Sequence, residues 1–151
     1  MWDPRTSDVA VWTACPSKHL PPGRGRWVGT MDVDEEGHWM ACGGGVVPSV
    51  WHLRTRMLMA ELPASGPTQA IAFLRDGVCM TCCLHTYFSL FTHLQFHHPA
   101  LSPQIATAGR DGHISHWTVS GAAAARVATT IPSVFSLCPL EGQGALQVGG
   151  E

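Results

Sequence analysis

Short apolar or alternating stretches, cut by Gly, Pro, Asp and Ser, run along this chain, and no helical period persists. Residues 27–33, 57–62, 69–73, 124–130, 134–138 and 145–148 read as strands of this kind. Two longer stretches resemble each other. One is His38-Trp39-Met40-Ala41-Cys42-Gly43-Gly44-Gly45, followed by Ser49-Val50-Trp51-His52-Leu53. The other is Gln104-Ile105-Ala106-Thr107-Ala108-Gly109-Arg110-Asp111-Gly112, followed by Ile114-Ser115-His116-Trp117-Thr118-Val119. Each is a strand, a Gly-rich turn and a second strand that carries Trp near its end. Asp111-Gly112 predicts a two-residue type I′ turn, while Gly43 to Gly45 with Pro48 predicts a looser one. The competing helix lies at 121–130, where Ala122 to Ala125 favour helix. Val127, Thr129, Thr130 and Ile131 pull that stretch back to strand.

Strand–turn–strand–Trp recurring every 40–45 residues is the mark of a WD40 β-propeller blade. Trp2, Trp51 and Trp117 are spaced by 49 and 66 residues. The first interval fits one blade with a long Pro/Gly-rich loop at 18–25. The second is too long for one blade and too short for two. The excess lies at 78–104, an atypical insertion within one blade. It holds three of the six Cys, four of the nine His, three of the five Phe and the single Tyr, with no charged Asp, Glu, Lys or Arg. Cutting it out brings Trp51 and Trp117 to 39 residues apart. Its Leu, Phe, Ser, Thr, His and Pro all take pyrimidine-rich codons. Its ends can be spelled as a splice donor and acceptor. Two origins fit, a retained in-frame intron and a genuine loop. The expected fold is all-β over 1–151, an incomplete WD40 propeller. It would comprise one outer strand at 8–14, two full blades at 27–62 and 69–130, and half a blade at 134–151.

Composition narrows the function. Of 151 residues, 45% are hydrophobic and 13% charged, with net charge −2 and nine scattered Lys and Arg. No basic stripe exists for sequence-specific nucleic-acid binding. No apolar run reaches the roughly 18 residues of a membrane helix, and Met1-Trp2-Asp3-Pro4 does not begin a signal peptide. The uneven Cys spacing suggests free thiols and an intracellular protein. Cys79 and Cys82 followed by His93 and His97 could form a small zinc module over 79–98. Ten residues separate the two pairs where a zinc finger has about twelve, and a Cys/His-rich loop explains them as well. Asp32, Asp34, Glu35 and Glu36 read as a solvated turn rather than a calcium site. No nucleophile elbow or phosphate loop is present, so no enzyme activity and no cofactor are expected. Asp111, Gly112, Thr107, Trp51 and Trp117 are the expected structural blade motif, with Trp27 and Trp39 as core or rim packing.

The strings Gly25-Arg26-Trp27-Val28-Gly29, Trp39-Met40-Ala41-Cys42-Gly43-Gly44-Gly45 and Val50-Trp51-His52-Leu53-Arg54 resemble the WD-repeat subunit 6 family of the THO complex. Ala70-Ile71-Ala72-Phe73, Ala108-Gly109 and Trp117-Thr118-Val119-Ser120-Gly121 continue the likeness, and Met1-Trp2-Asp3-Pro4-Arg5-Thr6 is similar to the end of a preceding blade. The resemblance covers nearly all of the chain except 78–104. It implies part of a seven-bladed propeller and a non-catalytic nuclear scaffold in THO/TREX, the assembly that links transcription and mRNA processing to mRNA export. It implies coiled-coil THO subunits 5 and 7 as partners and a role in assembly into higher oligomers. Against that family, the sequence starts mid-chain, stops within a blade and carries the insertion. The Asp–His–Ser/Thr–Trp network of many WD repeats would be partial. Asp111, Thr107 and Trp117 can supply three members, and 63–68 contains no His. An arc of blades with open faces should be marginally stable and prone to aggregate. An unrelated WD40 adaptor remains the alternative scaffold.

Overall fold

The computed structural model describes residues 12–16, 25–74, 81–82, 103–140 and 145–151. Within them the chain is all-β, with eleven strands and no helix. Strands β1 (Val28–Val33), β2 (Trp39–Gly44), β3 (Ser49–His52) and β4 (Met57–Glu61) form a first antiparallel sheet in the order β1-β2-β3-β4. Strands β5 (Thr68–Leu74), β7 (Gln104–Gly109), β8 (His113–Thr118) and β9 (Ala123–Ala128) form a second, in the order β5-β7-β8-β9. Strands β10 (Val134–Leu140) and β11 (Ala145–Gly150) make a hairpin, the third sheet. Its outer edge pairs in parallel with β6 (Thr81–Cys82) at Ala145 and Leu146. No sheet closes into a barrel. Strand β5 packs between β1 and β10, so the first strands of the three sheets lie side by side. This is an incomplete WD40-like propeller.

The sheets repeat one another in detail. The first pairing of each sheet carries a bulge at the same place, between Val28 and Thr30, Thr68 and Ala70, and Val134 and Ser136. A second bulge falls immediately before the Trp of each third strand, between Val50 and Trp51 and between His116 and Trp117. At Gly44, Gly109 and Gly150, a Cβ would collide with the carbonyl oxygen of Trp27, Pro67 or Ser133. The backbone comes so close there that only glycine fits.

Two cores separate the sheets. Ala41, Val50 and Leu62 meet Ile71, Phe73, Ile105, Trp117 and Val119 between the first and second. Ala106, Ala108 and Ile114 meet Val134 and Leu146 between the second and third. The middle sheet is thus covered on both faces. This explains why Ala70-Ile71-Ala72-Phe73-Leu74 and Ile105-Ala106-Thr107-Ala108 are continuously buried instead of alternating with polar residues. The alternation survives as size, with bulky Ile71, Phe73 and Ile105 towards the first sheet and small Ala106 and Ala108 towards the third.

The connection between β7 and β8 differs from the expected type I′ turn. It spans Arg110 to Gly112, and Gly112 (φ 63°) is at positive φ whereas Asp111 is not. A type I′ turn requires positive φ at both central residues. Three residues with a final left-handed glycine make the bulge-type hairpin instead. The stretch at 121–130 is strand β9, not helix. Gln104, the last residue of the 78–104 segment, lies in β7 and pairs with Leu74 and Thr118. Trp2 and most of 8–14 lie outside the described residues, as do the side chains of Cys79, Cys82, His93 and His97.

Candidate functional site

The polar machinery of the second sheet starts at its Trp. Trp117 projects from β8 into the first core, 6% exposed. Its indole N–H donates to Thr107 Oγ1 on β7 at 2.8 Å, so the one polar atom of a buried ring is satisfied. At the hairpin tip, Asp111 collects three donors. Ser65 Oγ donates to Oδ2 at 2.9 Å, Arg126 Nη2 from β9 donates to the same oxygen at 3.1 Å, and the His113 N–H donates to Oδ1 at 3.2 Å. Burial alone would raise the Asp111 pKa. The Ser65 and His113 hydrogen bonds and the Arg126 charge outweigh it and hold the carboxyl below its ordinary value of 3.8. Asp111 therefore ties the inter-sheet connection, the β7–β8 hairpin and β9 together as an anion.

The network expected to lack its imidazole thus stands as two separate halves, Trp117–Thr107 and Ser65–Asp111. Ser65, in the connection before β5, supplies the donor to Asp111. A serine is much shorter than histidine and does not reach Thr107. A cavity of about 320 Å³ lies between Ser65 to Thr68, Thr107, Asp111, Ser115, Trp117 and Arg126.

The first sheet solves the same problem with other residues. Trp51 holds the position of Trp117, because Met40 pairs Trp51 as Ile105 pairs Trp117. The counterpart of Thr107 is Cys42, a poor acceptor. The Trp51 indole N–H instead donates to Ser49 Oγ on its own strand at 2.9 Å, and Ser49 Oγ lies 3.3 Å from Cys42 Sγ. Burial raises the Cys42 thiol pKa, with the Ser49 and Trp51 contacts opposing it. Trp51 is capped edge-on by Trp12, with centroids 5.7 Å apart. The serine two residues before Trp51 is the sequence signal for this partner, although Ser115, at the same place before Trp117, is not used and Thr107 accepts there instead. Nothing in the sequence marked Ser65 or Arg126.

Trp27 and Trp39 are separated by the fold. Trp39 packs against the first core, its ring centroid 4.8 Å from that of His52. Trp27 is half exposed and lies over Gly25, Gly29, Gly44 and Gly45. In the acidic turn, Asp34 is buried and its Oδ1 accepts from the Trp39 N–H at 2.7 Å, which closes the β1–β2 hairpin. Glu36 pairs with His38 at 3.0 Å on the exposed side. Asp34, Glu36 and His38 could each turn a ligand atom towards one point, yet two are exposed and the buried one is already engaged in the turn.

The arrangement is a rigid set of strands presenting loops, which suits binding of other proteins. The chain is 28% identical over 140 residues to THO complex subunit 6 of Homo sapiens, covering 91% of this chain and 32% of that protein. It is 28% identical over 116 residues to the THO complex subunit 6 homolog of Mus musculus, covering 77% and 26%. It is 30% identical over 98 residues to the homolog of Danio rerio, covering 56% and 28%. The chain thus spans about a third or less of the length of these curated relatives. No protein-family model matches it.

Proposed function

We propose that this chain acts as a non-catalytic propeller scaffold of the THO subunit 6 type, joining other THO subunits in the nucleus in support of mRNA processing and export. One observation carries the reading. The similarity to THO complex subunit 6 runs through 91% of the chain, and the chain folds as an arc of propeller sheets. The coiled-coil subunits 5 and 7 are the proposed partners. Trp51, Trp117, Thr107, Asp111 and Gly112 are proposed as the structural motif that keeps the sheets rigid, with Trp27 as the exposed rim residue. Residues 78–104, apart from Gln104 in β7, are proposed as an insertion foreign to the blade.

The test is affinity capture of the tagged chain from nuclear extract, with recovered proteins identified by mass spectrometry. Recovery of THO subunits 5 and 7 is the expected result. Recovery of a different, reproducible set of proteins without any THO subunit would replace this reading with that of an unrelated WD40 adaptor.

A further inference from the structure

On the face of the middle sheet turned towards the first, the side chains change from apolar to polar along the strands. Ile105 and Trp117 lie in the core. One step nearer the β7–β8 hairpin, Thr107 stands opposite Ser115, and Ser115 stands opposite Arg126 of β9. Strand alternation puts all five on one face. Thr107 and Trp117 are buried, Ser115 is half-buried, and Arg126, Asp111 and Ser65 are exposed. The cavity of about 320 Å³ between them therefore has a buried floor and a solvent-facing mouth.

Floor and mouth offer opposite halves of a hydrogen bond. Thr107 Oγ1 already accepts the Trp117 N–H, so its own O–H is left to donate. Ser115 lines the same floor, and its Oγ has no hydrogen-bond partner among the described residues. At the mouth, Asp111 Oδ1 accepts the His113 N–H and has a lone pair left for a second donor. Arg126, 3.1 Å from Asp111 Oδ2, neutralises the carboxylate. The other guanidinium of the lining, Arg110, donates from Nε to the Gln69 amide oxygen at 3.2 Å, with that amide oriented so that both its ends are satisfied. Trp117, Pro63 and Pro67 make the space between the polar ends apolar.

We propose that this cavity binds an imidazole group, whose N–H donates to Asp111 and whose other ring nitrogen accepts from Thr107 or Ser115. Neutral imidazole is a flat ring with one donor and one acceptor on different edges. A carboxylate has no donor for Asp111, and an ammonium has no acceptor for the hydroxyls. A carboxamide has both but lacks the ring that the apolar walls would cover. A cavity of roughly 150 Å³ holds benzene, so this one takes the ring together with the atoms that carry it. The ring can belong to a histidine of another polypeptide or to a free small molecule, and the cavity meets the same chemistry in both. This goes beyond the proposed THO role and does not depend on it. A chain that captures no THO subunit could still bind the ring, and the reverse holds as well.

An NMR titration of the purified full chain tests this. Imidazole should shift the Trp117 indole N–H signal saturably, with a Kd on the order of 1 mM, as suits so small a ligand. 1-Methylimidazole, which lacks the N–H, and acetamide, which lacks the ring, should each bind about tenfold more weakly or worse. Ser115→Val, which fills the floor with a residue suited to strands, should weaken imidazole by about tenfold as well. The two control ligands act on the wild-type chain, so the test stands even if that variant does not fold. N-acetyl-histidine methylamide separates the sources. Tighter binding than imidazole assigns the site to a histidine of a polypeptide, and weaker binding assigns it to a free small molecule. A shift that never saturates overturns the proposal. So does equal binding of 1-methylimidazole or acetamide, or a folded Ser115→Val chain with an unchanged Kd.

Discussion

The Trp117–Thr107 hydrogen bond is the clearest residue-level test of the fold, because the donor is buried and has one acceptor. Thr107→Val keeps the shape and strands the indole N–H. The expected cost is about 1–3 kcal/mol, read as a fall of the thermal midpoint by several degrees, and Thr107→Ser should recover most of it. Asp111 gives a pH signature. Its folded pKa is depressed, so its stabilisation is fully present above the ordinary value of 3.8 and is lost as pH falls through the lower folded value. The thermal midpoint of the wild type should therefore decline below about pH 4. Asp111→Asn should start lower at neutral pH and decline less over the same acid range. An Asn variant that matches the wild type at every pH would show that the Ser65–Asp111–Arg126 contacts do not stabilise the fold. The ion pair is half exposed, so 0.5 M salt should weaken it.

Strand β5 and strand β7 are hydrogen-bonded neighbours although twenty-nine residues lie between Leu74 and Gln104. Two antiparallel neighbours need only a tight hairpin. Replacing 76–102 by a short Asn-Gly turn should preserve the second sheet and reduce the loop-closure cost by about 2 kcal/mol, less whatever the β6–β11 pairing contributes. Circular dichroism and a thermal melt check this. Loss of the β signal would show that the segment is integral to the blade. Sequencing the transcript separates the two origins of the segment. The element boundaries were legible because Trp51 and Trp117 repeat in like contexts and Gly and Pro punctuate the strands. The third repeat was harder to see. Val148-Gly149-Gly150 occupies the place of Cys42-Gly43-Gly44 and Thr107-Ala108-Gly109, but no Trp follows it to announce the match. The Asp111-Gly112 turn misled because the dipeptide favours type I′ locally. The β7–β8 register, with Ala108 opposite Ile114, leaves Arg110 in the loop as a third residue and so gives the longer hairpin. Ser65 was not legible at all, since it meets Asp111 only through a contact 46 residues apart in sequence.

At the scale of the whole molecule, the middle sheet is covered on both faces, by the first core and by the second. Among the described residues, the outer sheets each give one face to a core and carry exposed side chains such as Met31 and Cys138 on the other. A complete propeller covers such faces by closing its ring. Stability and association are then linked by mass action, because any partner that covers an end face binds the folded chain and not the unfolded one. A partner that covers an end face should therefore raise the thermal midpoint, whereas Thr107→Val should lower it equally with and without that partner, since the Trp117–Thr107 contact lies wholly within the second sheet. A Thr107→Val shift that vanishes when the partner is bound would mean that this contact and the end faces act as one cooperative unit.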